Sequence, residues 1–189
     1  LPDSVLDNLQ ETKASSLLVI KNGKLIFEKY WNGHDHNSLM NSFSMAKGFL
    51  SLLVGVAIDE GKIKNEDQLF SDFFSEFAED KFGKHLTLKH LMTMQAALDW
   101  PEEYHHPFAP NSKQYFVNDL RKQVFERKFC YMPGTKYEYQ SGAPQLLGFA
   151  LRKAIAKPLA QYLSEKLWIP LGMERAAKWS VDDEGMEKA

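Results

Sequence analysis

From Phe43 to Ile58 the sequence offers almost no polar face: Phe43, Met45, Ala46, Phe49, Leu50, Leu52, Leu53, Val54, Val56, Ala57 and Ile58 surround a single lysine, Lys47. Between Asp35 and Asp59 no other Asp, Glu, Lys or Arg occurs. A segment patterned in this way is a helix buried on most of its sides, so the chain must supply enough apolar surface elsewhere to surround it. It has the length to do so. A single domain of 189 residues removes roughly 70% of its unfolded surface from water. The longest uncharged apolar run, Gly48 to Ile58, is about half of the roughly 20 residues that a membrane-spanning helix needs, so no membrane span is expected. The balance of 23 Lys+Arg against 25 Asp+Glu, a net charge of −2, lacks the clustered positive charge of a nucleic-acid binder. Cys130 is the only cysteine, which excludes an internal disulfide framework and a cysteine-based zinc knuckle.

The rest of the chain reads as helix-rich with a hairpin at its start. Ser16 to Ile20 and Lys24 to Trp31 are strand-like, and Asn22-Gly23 between them is a strong hairpin turn. Gly61 is placed to end the apolar helix. Leu69, Phe70, Phe73, Phe74 and Phe77 follow helical spacing and predict a short amphipathic helix whose phenylalanines are core. Thr87 caps a helix through Leu91, Met92 and Met94. Pro101, Pro107 and Pro110 mark a loop, and Val117 to Phe129 reads as a surface helix. Pro144 suits the first turn of a helix through Leu146, Leu147, Leu151 and Ile155. Pro158 opens a last helix that stops near Ile169, because Pro170 follows. No internal repeat or linker interrupts this order. The expectation is one domain over residues 1–189, of class α+β.

The residues with the most chemical content are Ser44 and Lys47. Three positions apart on a helix, they share a face, so the hydroxyl and the amine can meet. A serine hydroxyl becomes a useful nucleophile when a neighbouring base takes its proton, and a lysine among apolar neighbours is pushed towards the neutral form that can do so. The helix N-terminus favours developing negative charge as well. The pair alone is also compatible with chance spacing and a lysine that extends to solvent. Tyr139, in Tyr137-Glu138-Tyr139-Gln140-Ser141-Gly142, lies in a turn before a helix, where a hydroxyl can relay a proton; Tyr137 and Tyr139 equally fit strand-edge aromatics with their hydroxyls in water.

Taken together, these pieces resemble the serine β-lactamase and penicillin-binding-protein superfamily, in particular its class C β-lactamase-like esterase and amidase branch. Ser44-x-x-Lys47 is followed by the apolar helix and Glu60-Gly61-Lys62-Ile63. His90 to Trp100 resembles the branch's "HLLTMTSGLxW" segment. Phe129 to Gly142, with Pro133-Gly134 and Tyr139-Gln140-Ser141, resembles its tyrosine motif, and Pro170-Leu171-Gly172-Met173 its "PLGM" helix end. The likeness runs in order from about Leu17 to Lys188. It implies a β-lactamase/transpeptidase-like fold, of which this chain supplies an N-terminal hairpin and most of the helices. It also implies a serine hydrolase acting on a small ester, amide, β-lactam or peptide through an acyl-serine, with no metal and no organic cofactor. Ser44 would be the nucleophile, Lys47 its base partner and Tyr139 the second proton-transfer residue. Ser141 would stand in a substrate-binding position where the family often has asparagine. Export to a bacterial periplasm or cell surface is suggested by the resemblance only.

Two departures accompany the likeness. Gln95-Ala96-Ala97 replaces the more usual Thr/Ser-Gly turn, and no Lys/His-x-Gly triplet follows Tyr139, where the superfamily has a strand supplying an oxyanion amide. The expectation is therefore a C-terminally incomplete domain. The alternative is a non-catalytic penicillin-binding-like module that binds peptide or cell-wall fragments. His34-Asp35-His36 and His105-His106 have no evident third ligand and read as loop histidines rather than a metal site. Cys130, between Phe129 and Tyr131, reads as a small buried hydrophobe.

Overall fold

The computed structural model describes residues 2–189, which divide into two compact units, one up to Ser42 and one from Phe43 to Ala189. In the first, helix α1 (Asp3–Glu11) precedes the antiparallel pair β1 (Ser16–Lys21) and β2 (Lys24–Tyr30). The connecting Asn22 and Gly23 both have positive φ, 52° and 72°, the backbone that lets a two-residue turn follow the twist of its strands. The register runs from Ser16 opposite Tyr30 to Lys21 opposite Lys24, with an irregularity at Val19/Ile20.

The second unit holds the helices. A 3-10 turn, Phe43–Met45, leads into α2 (Ala46–Asp59). The sequence predicts one helix buried on most sides; the structure instead buries Leu50, Leu53, Val54 and Ala57 and leaves Phe43, Met45 and Leu52 more than half exposed. One stripe of α2 is core and the other is surface. Its end is a Schellman closure: the N–H of Gly61 (φ 69°) bonds the carbonyl of Ile58 and the N–H of Lys62 that of Ala57. Glu60, beside this closure, receives Lys166 at 2.5 Å, Lys62 at 2.6 Å and the Tyr162 hydroxyl at 3.0 Å. The two ammonium groups hold its carboxyl down at about 2.

Leu69 to Phe77 does not form the helix its spacing predicts. It folds as two 3-10 turns, Phe70–Asp72 and Ser75–Phe77, with an isolated bridge between Leu69 and Thr87. The apolar reading of its rings holds all the same. Phe70, Phe73, Phe74 and Phe77 are buried, and Phe125 stands edge-on to Phe74 and Phe77 at 4.9 and 5.2 Å. Such edge-to-face contacts need the rings placed, not a continuous helix.

Thr87 caps α3 (Leu88–Met92) as expected. Its hydroxyl accepts the His90 N–H at 3.2 Å, while His90 Nδ1 accepts the Thr87 N–H at 3.3 Å. Gly134 (φ 86°) lies against the same ring, where a Cβ would come within 2.6 Å of Nε2. Burial holds the His90 pKa below 6.5, against the opposing pull of the His85 carbonyl and Asp67. As pH falls, the unfolded chain takes up this proton before the folded one, so the cap's contribution is complete above 6.5 and lost below it. We expect a urea midpoint that declines from pH 7 to pH 5 and a shallower decline in His90→Gln, whose amide oxygen accepts the same N–H without titrating. Identical slopes in urea titrations of the two would refute this.

Helix α4 (Pro110–Lys113) interrupts the region read as loop, with Pro110 at its first position. The predicted Val117–Phe129 helix is confined to α5 (Leu120–Phe125), capped by Asp119. Helix α6 (Gly142–Ile155) is the centre of this unit. Ten of its fourteen residues are buried, and it contacts α2, α3, α5 and α7 (Leu159–Leu163). A π-helical turn, Ser164–Trp168, then carries the chain to Pro170. Among the described residues no helix is long and apolar enough to cross a membrane.

Candidate active site

Ser44 lies in the 3-10 turn rather than in α2 itself, and the residue before it is unusual. Phe43 has φ 44°, a left-handed conformation that a bulky side chain rarely adopts. The turn leaves Ser44 exposed at the entrance to α2, while Lys47 in the first turn of the helix is only partly exposed. Their three-residue spacing brings Lys47 Nζ to 3.3 Å from Ser44 Oγ.

The third member comes from 95 residues further on. Tyr139 Oη is 2.8 Å from Ser44 Oγ. Either hydroxyl can donate in that bond, so the serine stands between a phenol and an amine. Loss of solvent lowers the Lys47 pKa below 10.5, partly opposed by the negative charge of Glu102. Desolvation disfavours the ammonium, which moves the amine towards the form able to accept a proton.

The segment bearing Tyr139 is fixed by side chains that sequence patterning did not single out. Gln140, 2% exposed, donates to the Leu98 carbonyl at 2.6 Å and accepts the Leu98 N–H at 3.1 Å, replacing a strand partner on both sides. Glu138 N–H bonds the Met94 carbonyl at 2.9 Å. Gly142 packs on the face of Trp100, where a Cβ would come within 2.7 Å of the ring. The Glu102 carboxylate accepts the Ser141 N–H and the Trp100 indole N–H. Glu102 sits in Glu102-Glu103-Tyr104, a stretch whose charge reads as solvated loop, and only its distance from these partners gives it away. A buried amide such as Gln140 likewise has no periodic signal.

The other singled-out residues fall elsewhere. Ser141 is the residue before α6 and is mostly buried; what ties it to this site is its main-chain bond to Glu102. His36, His105 and His106 are exposed, and no group of three potential metal ligands exists among the described residues. Cys130 corrects the sequence expectation: it is exposed, not buried. Its N–H bonds the Ala97 carbonyl at 2.7 Å, a pairing continuous with the Leu98–Phe129 bridge, which turns the side chain outward. Desolvation and the charges of Asp99 and Glu138 push its thiol pKa up, away from nucleophilic character.

The helical body and the antiparallel hairpin together define a β-lactamase/transpeptidase-like fold. A Bacillus anthracis structure assigned as a 6-aminohexanoate-dimer hydrolase matches it with a TM-score of 0.84 at 24% identity, over 97% of this chain and 51% of that one. A class C beta-lactamase matches with 0.71 at 19% identity, over 91% and 48%. The chain belongs to the Beta-lactamase family, whose model matches residues 3–188. This places it in the β-lactamase-like hydrolase superfamily. Among curated relatives, the 6-aminohexanoate-dimer hydrolase of Paenarthrobacter ureafaciens is 24% identical over 98% of this chain and 49% of its own length. Protein flp of Staphylococcus aureus is 22% identical over 85% and 34%. The chain thus spans a third to a half of the relatives it matches.

Proposed function

We propose that this chain carries the nucleophile-bearing part of a serine hydrolase that cleaves an ester or amide through an acyl-serine, within one β-lactamase-like domain. The observation that carries the reading is the position of Ser44 Oγ, 3.3 Å from Lys47 Nζ and 2.8 Å from Tyr139 Oη. In this reading Lys47, partly desolvated, receives the Ser44 proton as Oγ bonds the substrate carbonyl carbon. Tyr139 delivers a proton to the departing nitrogen or oxygen as the carbonyl-to-leaving-group bond breaks, and is replenished from Lys47. Water then hydrolyses the acyl-serine by the same transfers in reverse. The 6-aminohexanoate-dimer hydrolase among the relatives supports a small linear amide as one substrate class to examine first.

The test is covalent. Incubation of the full-length protein with a fluorophosphonate should add one phosphonyl group per chain, as Oγ bonds phosphorus and fluoride leaves, and peptide mapping should find it on Ser44. A protein that stays unmodified, or is modified elsewhere, would overturn the reading and favour a module that only binds.

A further inference from the structure

A second recess lies away from Ser44, towards the other end of α6. Its volume of about 490 Å³ is within the range that takes small ligands. It lies between the start of α5, residues 182–186, Phe74 and the C-terminal half of α6, which contributes Phe149, Arg152 and Lys153. From Gly142 to Arg152 the helix rises about 15 Å, so the recess is separate from the turn that holds Tyr139.

Three cations meet here, and they are unequally satisfied. Arg152 is neutralised by the buried Glu187, 3.1 Å away. Arg121 spends one amino group on Glu76, in a pair whose side chains are both about half exposed and which is therefore worth little. Lys153 donates to the Phe73 carbonyl and, among the described residues, has no carboxylate partner. Its Nζ and the Arg121 Cζ stand 4.6 and 5.8 Å from the centre of the same Phe74 ring. The acids of the recess are largely committed elsewhere. Asp119 caps α5 by accepting the Lys122 N–H, and the buried Asp182 accepts the N–H groups of Leu120, Glu184 and Met186. Glu184 is exposed, where water and salt screen its charge.

We propose that this recess binds a small monocarboxylate with an apolar body, an aryl or alkyl acid. Its carboxylate takes the unspent N–H donors of Lys153 and Arg121, and its ring or chain lies against Phe149 and Met186. A guanidinium has five donors in a planar fork that matches a carboxylate, and Arg121 uses one of its amino groups on Glu76. One negative charge suits the site better than two, because Asp119, Asp182 and Glu184 oppose a dianion. The apolar wall excludes a bare inorganic ion as the best fit, since it leaves Phe149 and Met186 uncovered. None of this rests on Ser44 as nucleophile.

The test is a titration of the full-length protein, carrying ¹³C-methyl methionine, with phenylacetate through the millimolar range. The Met186 methyl lies beside Gly148 at this recess, and its resonance is assigned by Met186→Leu. It should shift saturably with phenylacetate. Phenylacetamide, equal in shape but uncharged, should bind at least about tenfold more weakly, as should phenylacetate to Lys153→Gln and to Arg121→Gln, because each change removes a charge-assisted hydrogen bond. Lys153→Arg, which keeps the charge, should stay close to the parental affinity. A Met186 methyl that does not move, or that moves equally with phenylacetamide or with phenethylamine, would overturn the proposal. Parental affinity in both glutamine variants would overturn it too. The comparison of acid with amide needs no variant, so it decides even where a substitution disturbs the fold.

Discussion

Lys47→Met should lower the rate of Ser44 phosphonylation by about 1000-fold or more while leaving the helical circular dichroism signal unchanged. Methionine keeps most of the volume of the lysine stem and removes the amine, so the substitution isolates the base. General-base assistance contributes on the order of 100- to 10,000-fold, and here Lys47 Nζ stands 3.3 Å from the oxygen it would serve. The pH dependence gives an independent check. In the parent the labelling rate should climb as Lys47 loses its proton, through a limb that lies below 10.5 because the amine is desolvated. In Lys47→Met that limb should disappear. Tyr139→Phe should retain the limb and lose less, since the amine remains. A Lys47→Met protein labelled within tenfold of the parental rate would show that Ser44 is activated by something else.

The largest effect on stability is expected from Phe70→Ala. Phe70 is fully buried, with ring centres at 5.1 Å from Phe74, 4.8 Å from Phe77 and 6.1 Å from Phe125. Its removal leaves a cavity bounded by three other rings on short 3-10 turns and α5, which have little freedom to collapse into it. Truncations of this kind cost about 4 kcal/mol, which lowers the melting temperature by on the order of 10 °C. Phe70→Leu, which keeps most of the apolar volume, should recover more than half of the loss. Calorimetry of the three proteins decides it. A Phe70→Ala melting point within about 2 °C of the parent would mean that this ring cluster is not part of the cooperative core.

What could be read from the sequence follows how local each signal is. The Asn22-Gly23 turn, the Gly61 closure of α2, the Thr87 cap and the Pro144 and Pro158 helix starts are each set by a few neighbouring residues, and all stand where the sequence put them to within a residue or two. The phenylalanines of Leu69 to Phe77 were legible as core but not as 3-10 turns. Helical spacing reports which side chains share a face, and two short turns can satisfy that as well as one helix. Cys130 was misread because a cysteine between two aromatics is usually packed with them, whereas here the main-chain pairing at Ala97 faces it outward. At the site, Ser44 and Lys47 are neighbours on the chain and their approach follows from helical geometry alone. The approach of Tyr139 was suggested by motif order, and the places of Gln140 and Glu102 depend on contacts across about forty residues that no local pattern encodes.

The separation of 95 residues between Ser44 and Tyr139 also bears on how the chain is made. Helical geometry by itself sets Ser44 beside Lys47 wherever α2 is formed. Without the rest of the domain packed around it, however, the lysine would stand in water and keep its proton. The phenol is within reach only where the turn before α6 is held, as it is by the Leu98–Gln140 pairing. Under the proposed function, reactivity would therefore belong to the assembled tertiary structure, and a chain in which that turn is not yet held would carry a serine without its phenol partner.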